Sequence, residues 1–210
     1  MISCSNVSCS SLLTQLLVVQ SRSWQLLEEQ LSGVIHVAFR DRKTKSAFYS
    51  QLHPIGSGNV CVIDCGYENI VVDSQLSLGE SENFAALILQ LELILAVTLP
   101  EDPLFHINIH TLIIDNLSVY YWELKLLLFQ DQISKYQQLG DLLHIIHKRY
   151  NCGVITTSWD SMFELGYQYN HKSVPEQLTL IPTGFFKHFT YVVHYEGGKK
   201  TVIKADHQVQ

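Results

Sequence analysis

Charge is scarce in this sequence. Only 16% of its 210 residues are Asp, Glu, Lys or Arg, against roughly a quarter in an ordinary soluble protein. A surface so poor in charge is expected to be apolar in part and covered there by a partner. Positive charge is scarcer still. Fourteen Lys and Arg against 20 Asp and Glu leave a net charge of -6, which excludes a protein that coats DNA with its whole surface and leaves a local basic patch or a basic partner for any such contact. No apolar run of 18 residues passes without polar interruption, so no membrane span is expected. The apolar patch Leu12–Val19 is broken by Gln15 and has no basic lead, a poor fit to a signal peptide. The five cysteines are Cys4, Cys9, Cys61, Cys65 and Cys152, an odd number without a CxxC pair. Cys61 and Cys65 fall on one strand-like segment about 13 Å apart, too far for a disulfide or a shared metal. Reduced, mostly buried thiols in an intracellular protein are the expectation. Against these shortages stands a 47% hydrophobic content. It supports a sizeable core and excludes disorder, and the length suits one large domain over 1–210.

The order of elements points to an α/β sheet. Leu12–Leu31 reads as an apolar helical lead-in, with the core proper over 32–204. Val34–Ala38 is a short β-branched strand, Arg40–Lys45 a basic turn, and Ala47–Leu52 the helix after it. Val60–Ile63 is a second buried strand ending at Asp64. Ser81–Thr98 is a helix with Phe84, Leu87, Ile88, Leu91 and Leu95 at helical spacing. Leu89, Leu93 and Ile94 give it a second apolar face. Pro100 and Pro103 end it. Ile107–Ile114 is the next strand and ends at a lone acid, Asp115. Ser134–Tyr150 is a further helix, with Lys148 and Arg149 in the last turn where the dipole favours cations. Val154–Thr157 is a fourth strand, and Asp160–Gln177 reads as a long loop. Thr190–Tyr195, Glu196–Lys199 and Thr201–Lys204 read as a hairpin on a glycine turn. The whole is a mostly parallel sheet flanked by helices, with antiparallel strands at one edge.

An acid closing a central parallel strand is where nucleotide-binding α/β folds hold a phosphate-bound metal. The partner motif, GxxxxGK[ST], is expected upstream, where glycines let backbone amides wrap the phosphates, the lysine reaches the outer phosphates and the hydroxyl binds magnesium. In this sequence Phe39 and Thr44 occupy the two glycine slots, and only Lys45 and Ser46 remain. Bulk at positions selected for backbone freedom is expected to shut the cradle. The alternative is a Lys45 that still holds a nucleotide. With the cradle shut, Asp115 is expected to serve as a buried, hydrogen-bonded acid or a turn former.

With those motifs in order, the chain resembles the RecA-type recombinase core, specifically the eukaryotic recombinase paralogues. Gly33–Ser46 occupies the strand-to-phosphate-loop slot, Gly58–Asp64 the next strand, and Leu112–Asp115 the Walker B strand. Val154–Thr157 matches the strand before the second DNA loop, and Ile181–Gly184 with the final hairpin matches the end of that core. Within the paralogues the likeness is greatest to the platinum-sensitivity (Psy) subunits of the Shu complex, on Ile114–Ser118, Ile155–Ser158 and Leu178–Thr183. The resemblance implies a RecA-like fold and a non-catalytic, nuclear protein without cofactor. It implies heterodimer formation with a second degenerate paralogue, contacts with further Shu subunits, the recombinase and single-stranded or branched DNA, and promotion of recombinase filament assembly. The family's catalytic glutamate should closely follow the second strand, but Glu68 is wrongly spaced. Ser158 and Trp159 stand where its glutamine is usual. A divergent ATPase keeping Lys45, Ser46 and Asp115 is one alternative, and a structural adaptor without DNA contact another.

DNA contact is expected first from Arg40, Arg42, Lys43 and Lys45, the dense basic cluster, against the plain reading of a solvated turn. The second candidate is the loop bearing Tyr167, Tyr169, His171 and Lys172, where aromatics able to stack on bases sit beside cations. Lys199, Lys200 and Lys204 are a third set, read more simply as edge-strand protection. Partner contact is assigned to Phe84, Leu91, Leu95, Tyr120, Tyr121 and Trp122, since aromatics anchor interfaces. His144 and His147 have a chelating spacing, but nothing in the sequence completes a metal site, and no nucleophile signature occurs.

Overall fold

The computed structural model describes residues 24–26, 29–31, 33–52, 59–66, 75–98, 107–164 and 178–204. Its first elements correct the helical lead-in. β1 (Trp24–Leu26) and β2 (Glu29–Leu31) pair antiparallel as a separate ribbon. Trp24-Gln25-Leu26 alternates with the period of a strand, and the ribbon meets its backbone needs across the pair. The rest of the lead-in, 1–23, lies outside the described residues.

Unbroken apolar runs belong to strands buried on both faces, and this sheet is built from them. β3 (Val34–Phe39), β4 (Asn59–Asp64), β5 (Gln75–Glu80), β6 (Ile109–Asp115), β7 (Gly153–Trp159), β8 (Tyr191–Glu196) and β9 (Lys199–Lys204) stand in the order β5-β4-β6-β7-β3-β8-β9. Every neighbouring pair is parallel except β8 with β9. The architecture is α/β with a RecA-like core and a C-terminal antiparallel hairpin, as the sequence leads one to expect. Gly197 and Gly198 close that hairpin at φ 54° and 81°, the left-handed pair that a two-residue turn requires.

Side chains alternate between two cores. Leu112 and Ile114 of β6 join the core under α2 (Phe84–Ala96) and α4 (Phe129–Tyr150), whereas Ile113 joins the core under α1 (Arg42–Gln51). Cys61 and Ile63 of β4 face the first core, and Val60 and Val62 the second. Two short helices complete the set, α3 (Tyr121–Leu124) and α5 (Ser161–Glu164), with 3-10 turns at Leu117–Tyr120 and Thr183–His188.

α2 starts at an Asn83 cap, whose side chain accepts from Ala86 N at 2.9 Å. The far ends of α2 and α4 are tied together by Arg149, which donates to the Leu95 carbonyl and, at 2.6 Å, to that of Val97. Those carbonyls are among the ones a helix end leaves unbonded. Asn151 then turns the chain out of α4 in the left-handed region, at φ 47°.

Several expectations change. β5 was not anticipated. α4 starts at Phe129, a turn before Ser134, because Phe129 and Ile133 give that turn exposed apolar residues rather than a core stripe. The long loop from Asp160 begins as helix α5, capped where Phe163 N donates to Asp160 Oδ1 at 2.9 Å. Residues 165–177 lie outside the described residues. No helix among the described residues is long and apolar enough to cross a membrane.

Candidate functional site

In an open parallel sheet, ligands bind at the carboxyl ends of the strands. Here the ends of β6, β7, β3 and β8 lie side by side, and α1 departs from β3. Only Arg40 and Asp41 separate Phe39, the last residue of β3, from Arg42, the first of α1. Positions 42–44, which a phosphate loop would keep open, are wound into helix. The expected basic turn over Arg40–Lys45, with a helix from Ala47, is corrected accordingly.

The cause is a cap. Asp41 is extended, and its carboxylate accepts from Thr44 N and from Thr44 Oγ1, both at 2.8 Å. An aspartate at this position satisfies a free amide of the first turn and sets negative charge at the positive end of the helix dipole. A bound phosphate performs the same task in a working loop. In this chain a carboxylate of its own does it. Phe39 points into the core, stacked on Tyr195 at 5.6 Å between ring centroids and edge-on to Phe48 at 5.3 Å. Ser46 is exposed.

Lys45 and Tyr49 are one turn apart on α1 and share a face. Both reach Asp115 at the end of β6, whose bond to Asn116 is cis. Lys45 Nζ donates to Asp115 Oδ2 at 2.6 Å, Tyr49 OH donates to Oδ1 at 2.8 Å, and Thr157 Oγ1 of β7 also donates to Oδ1. Lys45 lies 4.7 Å from the centroid of the Trp159 ring, which stacks on Phe163 at 4.0 Å. Asp115 is 0% and Lys45 4% exposed. Burial pushes the Asp115 carboxyl above its ordinary range, opposed by the Lys45 charge and by the bonds from Lys45, Thr157 and Tyr49. The two groups that would hold phosphate and metal therefore hold each other.

A second ionic cluster borders the first. Arg40 Nε donates to Asp160, and Arg40 Nη1 to Glu196 Oε1 at 2.7 Å. His194 Nε2 lies 3.0 Å from Asp160 Oδ2. Burial would raise the Asp160 pKa, but the bonds from His194 and Arg40 hold it below the ordinary value.

These contacts redistribute the residues singled out in the sequence. Of the basic cluster, Arg42 and Lys43 face solvent. Arg40 is engaged by two carboxylates and Lys45 is buried, so neither presents its charge outward as expected. Tyr167, Tyr169, His171 and Lys172 lie outside the described residues, as does Glu68. The expected interface is also corrected. Phe84, Leu91 and Tyr120 are in this chain's own core, the first two on the α2 stripe that covers the sheet and Tyr120 on the 3-10 turn after β6, and Leu95 packs half-buried against it. Tyr121 is half-buried and Trp122 is 63% exposed. Among the described residues no group of three His, Cys, Asp or Glu is placed to hold a metal. Asp41, Tyr49, Thr157, Asp160 and His194 were missed. Asp41 had a readable signal, a capping residue three before Thr44, and Tyr49 had its place four after Lys45.

Residues 34–198 match a family model described as "Shu complex component Psy3, DNA-binding description". The chain belongs to the Psy3 family of Shu complex components. The match runs from β3 into the β8–β9 turn, so it takes in the β3–α1 connection, the Asp115 strand and the first strand of the hairpin. No individual curated protein matches the chain. Family membership gives it a DNA-related role within a complex.

Proposed function

We propose that this protein is a non-catalytic recombination-mediator subunit. It pairs with another recombinase paralogue, binds DNA with it, and promotes recombinase filament assembly in the nucleus. The observation that supports this most directly is the buried Lys45–Asp115 pair at 2.6 Å, with Asp41 seated where phosphate would cap α1. Phosphoryl transfer depends on positioned phosphates, metal and water. Binding ATP here would require breaking a buried ion pair and uncapping a helix before any ligand contact forms. Binding DNA makes no such demand, and the family's description supports it.

The test uses the full chain, tagged and purified with whatever it holds in the cell. Calorimetry with ATP and magnesium should give no heat of binding. Titration of a fluorescent oligo-dT should give saturable binding that weakens with salt. ATP binding that disappears in Lys45→Ala would defeat the reading in favour of a divergent ATPase. An assembled complex indifferent to DNA would leave only an adaptor.

A further inference from the structure

A pocket of about 250 Å³ lies between the segment that follows β6 and helix α5. Four of the described residues lining it are aromatic: Tyr121 and Trp122 of α3, Trp159 at the end of β7, and Phe163 of α5. Val119 and Trp122 are exposed and form its rim, and the charged residue in the lining is Glu164. Glu164 is bonded at one oxygen only. Its Oε2 accepts from Leu180 N at 3.3 Å, while Oε1 is buried and has no hydrogen-bond partner among the described residues. Burial pushes the carboxyl up to about 7, eased only in part by the Ser118 hydroxyl and the Leu180 amide. Glu164 also adds to burial in raising the pKa of Tyr136, whose hydroxyl is a second buried oxygen without a partner. Buried carboxylates are as a rule paired with a cation. The aromatic lining suits the same charge, since ring faces attract cations within about 6 Å. Lys125 Nζ already lies 4.7 Å from the Trp122 centroid and 5.4 Å from that of Tyr121. Lys45, beside Trp159, is committed to Asp115.

We propose that this pocket receives an arginine side chain of a partner protein, its guanidinium donating to Glu164 Oε1 and lying against the Phe163 and Trp122 rings. The site rests on the reading that this chain pairs with another protein, and adds the point at which that protein is anchored. A guanidinium is planar and weakly hydrated, so it stacks on rings and enters buried ion pairs more readily than an ammonium does. A protein is the source because the rim continues along the chain from Trp122 to the exposed Leu126 and Leu128, apolar surface that a small cation would leave uncovered. A nucleobase could stack on the same rings. It would bring phosphate towards Glu164, however, and none of the described lining residues is Lys or Arg.

The experiment uses the full chain co-purified with its partners. Benzoylphenylalanine is placed at the rim position Val119, and the complex is irradiated with oligo-dT present and digested. The crosslinked peptide should come from a partner chain and carry an arginine beside the crosslinked atom. Glu164→Gln, which keeps an acceptor for Leu180 N, should weaken that partner's affinity at least about tenfold, and replacing the crosslinked arginine by alanine should do the same. Both changes together should cost no more than either alone, the mark of a direct contact. A wild-type melting temperature certifies the fold of Glu164→Gln. Should that variant melt early, the arginine replacement on the partner carries the test by itself. Wild-type affinity after either change overturns the site and leaves the pairing reading standing. Crosslinks confined to this chain, to arginine-free partner segments or to the oligonucleotide overturn it as well. A chain that purifies without any partner defeats both.

Discussion

At the scale of single residues, two buried titratable sites define this molecule. Lys45 neutralises Asp115 in the core, so Lys45→Met should be costly even though its stem still covers Trp159. We expect a loss of about 3 kcal/mol in urea unfolding at neutral pH, the usual result of stranding one partner of a buried pair. Adding Asp115→Asn should recover a large part of it, because the stranded charge is gone. An ordinary phosphate-loop lysine facing an empty site would show no such dependence. His36 is the second case. Its ring nitrogens lie 2.8 Å from Thr156 Oγ1 and 2.9 Å from Ser158 Oγ, and burial drives its pKa down to about 3. The unfolded chain binds this proton near pH 6.5 and the folded chain does not. Stability from His36 is therefore complete above pH 6.5 and declines as pH falls towards 3. About 2 kcal/mol should be lost between pH 6.5 and 5. His36→Gln, which keeps polar partners for both hydroxyls but cannot titrate, should flatten that limb of the stability curve. An unchanged limb would mean that His36 does not control it.

At the scale of elements, α4 and the 3-10 turn Thr183–His188 approach so closely that Gly140 is required. A Cβ there would lie 2.4 Å from the His188 ring. Gly140→Ala ordinarily strengthens a helix by up to about 1 kcal/mol. Here it should destabilise by about 1–3 kcal/mol, and His188→Ala in the same chain should restore the helix gain. Thermal unfolding of the two variants measures the sign. Nothing in a helical pattern says whether a glycine is a weakness or a close approach, and the difference shows how far sequence carries. Strands buried on both faces announce themselves, as Leu112–Ile114 and Val154–Thr157 do, because they are runs of apolar and β-branched residues without a charge. The terminal hairpin does too, through its paired glycines. β5 did not, since Gln75–Glu80 is an edge strand whose Leu76 and Leu78 are only partly buried. The start of α1 was hidden for another reason: Arg42–Ser46 is polar at every position, and its helix depends on a cap and on two buried contacts. Lys45 and Asp115 were each legible as motif remnants. Their bond spans 70 positions and could only be seen in the folded chain.

For the whole molecule, the shortage of charge reappears as exposed apolar surface. Trp122, Leu126, Leu128 and Phe129 are 63%, 88%, 77% and 66% exposed, and all lie within one stretch joining α3 to α4. Surface of this kind marks a contact with another protein, in keeping with a family defined by membership of a complex. Leu126→Asp with Leu128→Asp should therefore leave the isolated chain's unfolding within about 0.5 kcal/mol of wild type, as exposed substitutions do, while the partner is lost on co-purification. Recovery of the partner at wild-type yield would place the interface elsewhere. The winding of positions 42–44 into α1 bears on what the end of β3 can accept. What stands in the way of a phosphate there is the path of the main chain, not any one side chain. Glycines placed at 39 and 44 would still face a helix that has to uncoil its first residues, and evict its own aspartate, before the first phosphate oxygen found a donor.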